Sequence, residues 1–329
     1  MKIYITSCEV HETAWRHQEY SLIALWELSS KVHTLTECPA DADIIIISNL
    51  RTECNFRSLR NHPVIMRFPL KCYGIDEYDD WSMIPLLPGV YASARVDLPF
   101  ANRYCSGSYE LHHVNFKNPF IEDNNLRAYE SEKKHLASFV GRRSHSVRDA
   151  LFELQFSDTT ISICDTSVFN VFTHENDGKL EHQRNFMSTL ASSKFAICPR
   201  GAGASSVRLF EVMKSGVAPV VLSDSWILPL GPDWSRFAIF VPENEIEQLE
   251  SLLLTHEANY AQMGRHAEEA YQKYFATERY FDYIINQIII IRQRRSQTVQ
   301  NMIWKLRHII PQIYRVKRGI ERRLKKREL

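Results

Sequence analysis

The chain has 329 residues, 44% hydrophobic and 24% charged. That balance argues against a disordered or fibrous protein, and the length suits two domains better than one core. Seven cysteines, odd in number, scattered and without a C-x-x-C pair, argue against a disulfide framework or a zinc ribbon and point to a reducing compartment.

The net charge of +1 hides an asymmetry. Residues 292–329 hold 13 Lys/Arg and 2 Asp/Glu, a net +11, which leaves −10 on the preceding 291 residues. A basic tail on an acidic body calls for an anionic partner. The first residues lack a charged segment followed by an apolar one, so no signal peptide is expected. The apolar run 284–291 is interrupted by Asn286 and Gln287 and falls short of the roughly 20 residues that a membrane-spanning helix needs. A cytoplasmic location follows as an expectation, with the tail allowing peripheral attachment to the cytoplasmic face of a membrane.

Residues 2–6 alternate polar and apolar and predict a first strand. Residues 19–30 place Tyr20, Ile23, Leu25 and Trp26 at helical spacing. The run DIIIIS at 43–48 predicts a parallel strand buried on both faces. Residues 64–68 are a further strand candidate. The stretch 71–120, with Pro85, Pro88, Pro99 and Pro119, reads as loops and short elements, and the polar stretch 123–134 as a linker.

A second alternation follows, with strands at 136–140, 160–165, 195–198, 217–222 and 237–241. Helices are expected at 147–156, 182–192, 206–215, 245–254 and 259–275. The fold class is therefore α/β. The expected domains are 1–125 and 126–284, with a basic helical tail at 285–329.

The segment 195–221, FAICPRGAGASSVRLFEVMKSGVAPVV, carries the chemistry. A strand ends at Pro199, a loop with two glycines follows, Ser205 or Ser206 can cap the next helix, and Gly216 suits its C-terminal cap. Glycines let backbone approach a phosphate, and N–H groups at a helix start point toward it. Arg200 adds a forked cation. Ser205, Arg208 and Glu211 follow at three-residue spacing on one helix face. Arg208 could then reach phosphate and Glu211 could accept ribose hydroxyls. The plainer alternative is a ligand-free strand–helix turn with a solvated Arg208–Glu211 pair. The loop is neither G-x-G-x-x-G nor a P-loop.

The same segment resembles the core motif of the exostosin-type glycosyltransferases, family 47. The resemblance rests on Ser193-Lys-Phe195, Pro199-Arg-Gly201, Ser206-Val-Arg208, Glu211, Gly216, Pro219-Val220, Ser223-Asp224, Trp226 and Leu228-Pro229. Asp233-Trp234 and Phe237 extend it. Upstream, Phe139-Val-Gly-Arg-Arg143 followed by Arg148, and Ala42-Asp43, resemble earlier family elements.

The resemblance implies a GT-B fold, two Rossmann-like domains facing a cleft, with the donor in the second. It implies inverting transfer from a nucleotide sugar, usually a UDP-sugar, to a glycan or glycolipid acceptor. The implied donor-binding residues are Arg142 or Arg143, Arg200, Gly201, Ser205, Ser206, Arg208 and Glu211. No metal or other cofactor is expected, because GT-B enzymes generally neutralise the leaving diphosphate with arginines and helix starts.

The acceptor hydroxyl needs a general base. Ligand crevices of open α/β sheets lie at the carboxyl ends of the strands, which makes His11 the first candidate and Asp79 the second. Asp41-Ala-Asp43 is a literal D-x-D, but it precedes a strand, whereas a metal site wants the loop after one. Asp76–Asp80 is an acidic cluster that reads as a solvated loop.

In the tail, Ile303, Leu306, Ile309, Ile310, Ile313, Val316, Ile320 and Leu324 alternate with basic residues, with a break at Pro311. Such a helix suits an anionic membrane surface. Nucleic acid is not the expected partner, since no aromatic platform accompanies the charge. Two other functions stay open: a catalytically silent nucleotide-binding subunit of a glycan-assembly complex, and a peripheral membrane adaptor working through the tail.

Overall fold

The computed structural model describes residues 1–8, 18–50, 57–79, 85–111, 117–122, 128–169 and 178–325. In chain order the strands and α-helices are β1 (Lys2–Ser7), α1 (Gln18–Leu28), β2 (Thr34–Leu35), β3 (Ile44–Ser48), α2 (Arg57–Asn61), α3 (Pro63–Arg67), β4 (Cys72–Asp76), β5 (Gly89–Tyr91), β6 (Tyr104–Cys105), α4 (Pro119–Glu122), β7 (His135–Gly141), α5 (Ser146–Glu153), β8 (Ile161–Asp165), α6 (Lys179–Ala191), β9 (Ser193–Pro199), α7 (Val207–Lys214), β10 (Ala218–Leu222), β11 (Ile239–Phe240), α8 (Leu249–His256), α9 (Tyr260–Tyr274), α10 (Thr277–Arg294), α11 (Gln297–Lys305) and α12 (Ile310–Lys325). They form two compact units, Met1–Gly107 with Tyr280–Leu329, and Ser108–Arg279. The boundaries expected at 125 and 284 differ from this division, because the helices after residue 280 return to the first unit.

The first unit holds a parallel sheet in the order β2-β1-β3-β4-β5-β6. The four isoleucines of β3 are fully buried, as a strand covered on both faces requires. One expectation fails in this unit. Residues 64–68 are not a strand: Pro63 opens helix α3 there, and proline at a first helical position is pre-set for a helix. As expected, the stretch 71–120 holds loops and short elements, among them β4, β5 and β6. These strands are only two to five residues long, and two of them contain glycine. Gly89 is required because a Cβ there would lie 1.9 Å from the Gly74 carbonyl oxygen on the paired strand.

Helices α10 and α11 complete this unit's core. Phe281, Ile284, Ile285, Ile288 and Ile291 are fully buried, and the Tyr283 hydroxyl donates to the Ser106 carbonyl (3.2 Å). Arg103, 1% exposed, donates to Gln300 Oε1 from Nε (3.0 Å) and Nη2 (2.7 Å), and to the carbonyls of Pro85 (3.3 Å) and Leu86 (3.0 Å). Gln300 in turn donates to the Leu86 carbonyl (3.3 Å). Gln300→Ala removes one of two side-chain acceptors of a buried cation, the other being the Tyr104 hydroxyl (2.8 Å). It is expected to destabilise the unit by about 2–3 kcal/mol, read as a lowered midpoint in urea unfolding.

The second unit holds a parallel sheet in the order β11-β10-β9-β7-β8. Its core runs through Phe139, Phe195, Ile197, Val220 and Leu222, with Leu249 and Leu253 packed against them. From β7 the chain passes to β8 on one side; from β9 it passes to β10 and β11 on the other. The strand order therefore reverses between β7 and β9, and the carboxyl ends of those two strands are where such sheets bind ligands. After α7, Gly216 adopts φ +69°, the left-handed cap that glycine tolerates. Helix α9 approaches so closely that a Cβ on Gly264 would lie 2.4 Å from the Gly216 carbonyl oxygen.

Candidate functional site

Four of the loops that leave the carboxyl end of the second sheet are 142–145 after β7, 200–206 after β9, 223–225 after β10 and 241–243 after β11. Arg200 opens the second of these and is 8% exposed. Its backbone N–H donates to the Leu222 carbonyl (3.0 Å), prolonging the β9–β10 pairing. Its side chain donates from Nε to the Gly203 carbonyl (3.2 Å) and from Nη1 to Ser225 Oγ (2.9 Å). Glu243 Oε1 stands 3.7 Å from the same Nη1. Ser223 Oγ donates to the Ala204 carbonyl (2.6 Å), so the glycine-bearing loop is fastened from β10 as well.

Arg148, from the first turn of α5, is 9% exposed and reaches both loops at the switch point. It donates to the carbonyls of Arg200 (2.9 Å), Pro199 (3.1 Å) and Arg142 (3.3 Å). Gly201 lets it come close: a Cβ there would lie 3.3 Å from Arg148 Nη2 and 3.3 Å from Ser144 Oγ. His145 caps α5, its Nδ1 accepting the Val147 N–H (3.3 Å). With Nδ1 an acceptor, the ring proton sits on Nε2. Burial, then Arg200, pull the His145 imidazole below its ordinary value, with Glu243 acting the other way. The ring is thus neutral near pH 7.

Ser206 is the N-cap residue of α7, with extended backbone (φ −145°, ψ 133°) and no side-chain capping bond. Ser205 is buried beside it. Arg208 does not extend out from the helix start. Its guanidinium donates to the Val140 carbonyl and lies 4.7 Å from the Phe139 ring centroid and 5.7 Å from that of Phe186. A Cβ on Gly141 would lie 2.9 Å from Arg208 Nη2, so that glycine makes room for the cation at the carboxyl end of β7. Glu211, one turn on, is half-buried and raises the Arg208 pKa against the lowering by burial.

The two adjacent arginines after β7 part company. Arg143 is taken up by Asp165 (2.9 Å), Glu153 (3.1 Å) and Asp149 (3.6 Å), and lies over the Phe152 ring. It turns toward β8 and away from the glycine-bearing loop. Arg142 is exposed and offers its carbonyl to Arg148.

Of the residues expected to serve the acceptor, His11 lies outside the described residues. Asp79 is exposed and follows β4, where Ser93 Oγ donates to its Oδ1 (3.4 Å). The D-x-D aspartate Asp43 sits at the amino end of β3, its Oδ2 accepting the Lys2 N–H (2.8 Å). It ties β1 to β3 at the end opposite the ligand crevice. His145, Ser225 and Glu243 were not singled out from the sequence. The signal that finds them is positional: each lies within four residues after the carboxyl end of a strand.

Two doubly wound parallel units, one with Arg200 on a glycine-bearing loop at its switch point and Arg148 reaching that loop from α5, define an α/β protein with two Rossmann-like units. A family model, the Exostosin GT47 domain, matches residues 60–255, and the chain belongs to that family. An exostosin-1 homologue of Caenorhabditis elegans is 29% identical over 180 residues, which are 50% of this chain and 47% of that one. The rice protein named probable glucuronosyltransferase GUT1 is 30% identical over 79 residues, 23% of this chain and 19% of its own. MurG of Acinetobacter baumannii, a solved structure, is 14% identical, aligned over 87% of this chain and 99% of that one with a TM-score of 0.35. The chain spans about half the length of the worm relative.

Proposed function

We propose that the chain is an inverting, metal-independent glycosyltransferase that moves a sugar from a UDP-sugar to a glycan or glycolipid acceptor in polysaccharide or glycoconjugate synthesis. The observation that carries this is the placement of Arg200, Arg148 and the 200–206 loop at the β7/β9 switch point, within the segment that the family model matches. In the proposed complex the diphosphate lies on that loop, against Arg200, Gly201, Ser205 and the Ser206 helix start. Arg142, with its exposed side chain, adds charge from the β7 side. Glu211 receives the ribose hydroxyls, and Arg208 serves as a fixed cation packed at the end of β7.

The reaction is a single in-line displacement. The acceptor oxygen bonds to the anomeric carbon while the bond from that carbon to the diphosphate oxygen breaks, and its electron pair leaves with the diphosphate. The hydroxyl proton passes to a base, for which His11 is the first candidate and Asp79 the second. Charge grows on the departing diphosphate, so donors fixed there stabilise the transition state more than the ground state.

A thermal-shift screen of UDP, GDP, ADP and CMP tests the reading. UDP is expected to raise the melting temperature most. Glu211→Ala is expected to weaken UDP binding about ten- to a hundredfold, the loss of one or two hydrogen bonds to a charged group. If no nucleotide stabilises the wild type, the donor site is refuted. If UDP binds but UDP-sugars are neither hydrolysed nor transferred, the catalytically silent alternative stands in its place.

A further inference from the structure

The apolar residues at the C-terminal end divide between two faces. Ile303 and Trp304 are buried in the first unit, and Arg307 anchors the segment by donating to the Arg60 carbonyl (3.1 Å). Met302, Leu306, Ile309, Ile313, Val316 and Ile320 are instead all between 39% and 63% exposed. They recur at alternating spacings of four and three, which lines them along one side of a helix. The stripe continues through the turn between α11 and α12, where Ile310 and Ile313 N–H groups donate to the Leu306 and Ile309 carbonyls (3.0 and 3.1 Å). Pro311 falls in the first turn of α12, where it does not break the helix.

Charge beside the stripe is predominantly positive. Residues 305–329 contain ten Lys/Arg and two Asp/Glu, and Lys305, Arg315 and Lys317 are exposed. A second copy of the chain laid on this stripe would oppose cations to cations, which disfavours a paired helix. An anionic bilayer surface offers an apolar layer for the stripe and negative headgroups for its flanks. Among the described residues no helix is long and apolar enough to cross a membrane, so the fitting mode is a helix lying in the interface. We infer that Met302–Ile320 is a membrane-docking face that seats the first unit on anionic lipid, independently of the sugar-transfer reading.

Co-sedimentation of the full chain with vesicles tests this. Vesicles of phosphatidylcholine alone are compared with vesicles of equal parts phosphatidylcholine and phosphatidylglycerol. The chain is expected to bind the anionic vesicles and to leave the neutral ones in the supernatant. Arg315→Gln with Lys317→Gln is expected to weaken anionic binding by about thirtyfold. Ile313→Ser with Val316→Ser, which keeps every charge, is expected to weaken it by more than about tenfold. All exchanged side chains are exposed, so both variants should keep the wild-type melting temperature. Equal binding to the two vesicle kinds, or none to either, overturns the inference without reference to any variant. So does a lipid-free dimer that Ile313→Ser with Val316→Ser abolishes, since the occupant would then be a second copy.

Discussion

Arg200→Ala is expected to lower kcat/KM for sugar transfer by about 10²–10³-fold, the usual cost of removing one fixed donor at a site of developing charge. The guanidinium is almost fully buried and held by Gly203, Ser225 and Glu243. It therefore needs no reordering when the diphosphate departs, and a cation in a dry, fixed setting counts for more than one in water. Because charge on the leaving group peaks in the transition state, the loss should fall more on kcat than on KM. Arg200→Lys keeps the charge but not the fork that reaches Gly203 and Ser225 together, so it should recover only part of the rate. Steady-state kinetics with a saturating acceptor reads both numbers. A kcat within about threefold of wild type for Arg200→Ala, far short of the loss expected for such a donor, would remove this residue from the reaction.

Arg148→Ala should damage stability and nucleotide binding together. One side chain on α5 holds three carbonyls, those of Pro199, Arg200 and Arg142, at the carboxyl ends of the two strands that flank the switch point. Hydrogen bonds to a charged group contribute about 1.5–3 kcal/mol each, and non-additivity among neighbours makes about 3 kcal/mol a fair expectation for the whole. The loop carrying Arg200 and Gly201 loses its brace at the same time, so UDP affinity should fall by about tenfold or more on loss of even one such contact. Arg148→Lys discriminates between charge and geometry. A single ammonium cannot span three carbonyls presented to a planar fork, so neither the melting temperature nor the affinity should return. Full recovery of both by lysine would show that only the charge matters.

Much of the second unit is legible in the sequence, for physical reasons. Strands β7, β9 and β10 are built on apolar runs, and Gly216 marks the end of α7 where a left-handed cap fits. The first unit is harder. A short apolar run such as 64–68 has no decisive period, and Pro63 settles it as helix. Strands of two to five residues in 71–120 take their identity from pairing partners such as Gly74 with Gly89, not from local pattern.

The site divides the same way. Arg200 and its glycines announce themselves locally. The choice between Arg142 and Arg143 does not, because it depends on Asp165 of β8 and on Glu153 and Asp149 of α5 converging on one of them, which needs both elements placed beside β7. His145 and Glu243 join Arg200 only because the strand order is β11-β10-β9-β7-β8. The expected ends of the units missed the return of α10–α12, since an amphipathic helix does not state which sheet it will cover.

The central claim is that the 200–206 loop receives the diphosphate of the donor. Calorimetric titration of UDP and of uridine into the wild type and into Arg200→Ala tests it directly. If the loop holds the phosphates, UDP binds the wild type about ten- to a hundredfold more tightly than uridine. That preference shrinks severalfold in Arg200→Ala, while uridine binding stays unchanged. An equal preference for UDP over uridine in both proteins would place the phosphates elsewhere and contradict the account.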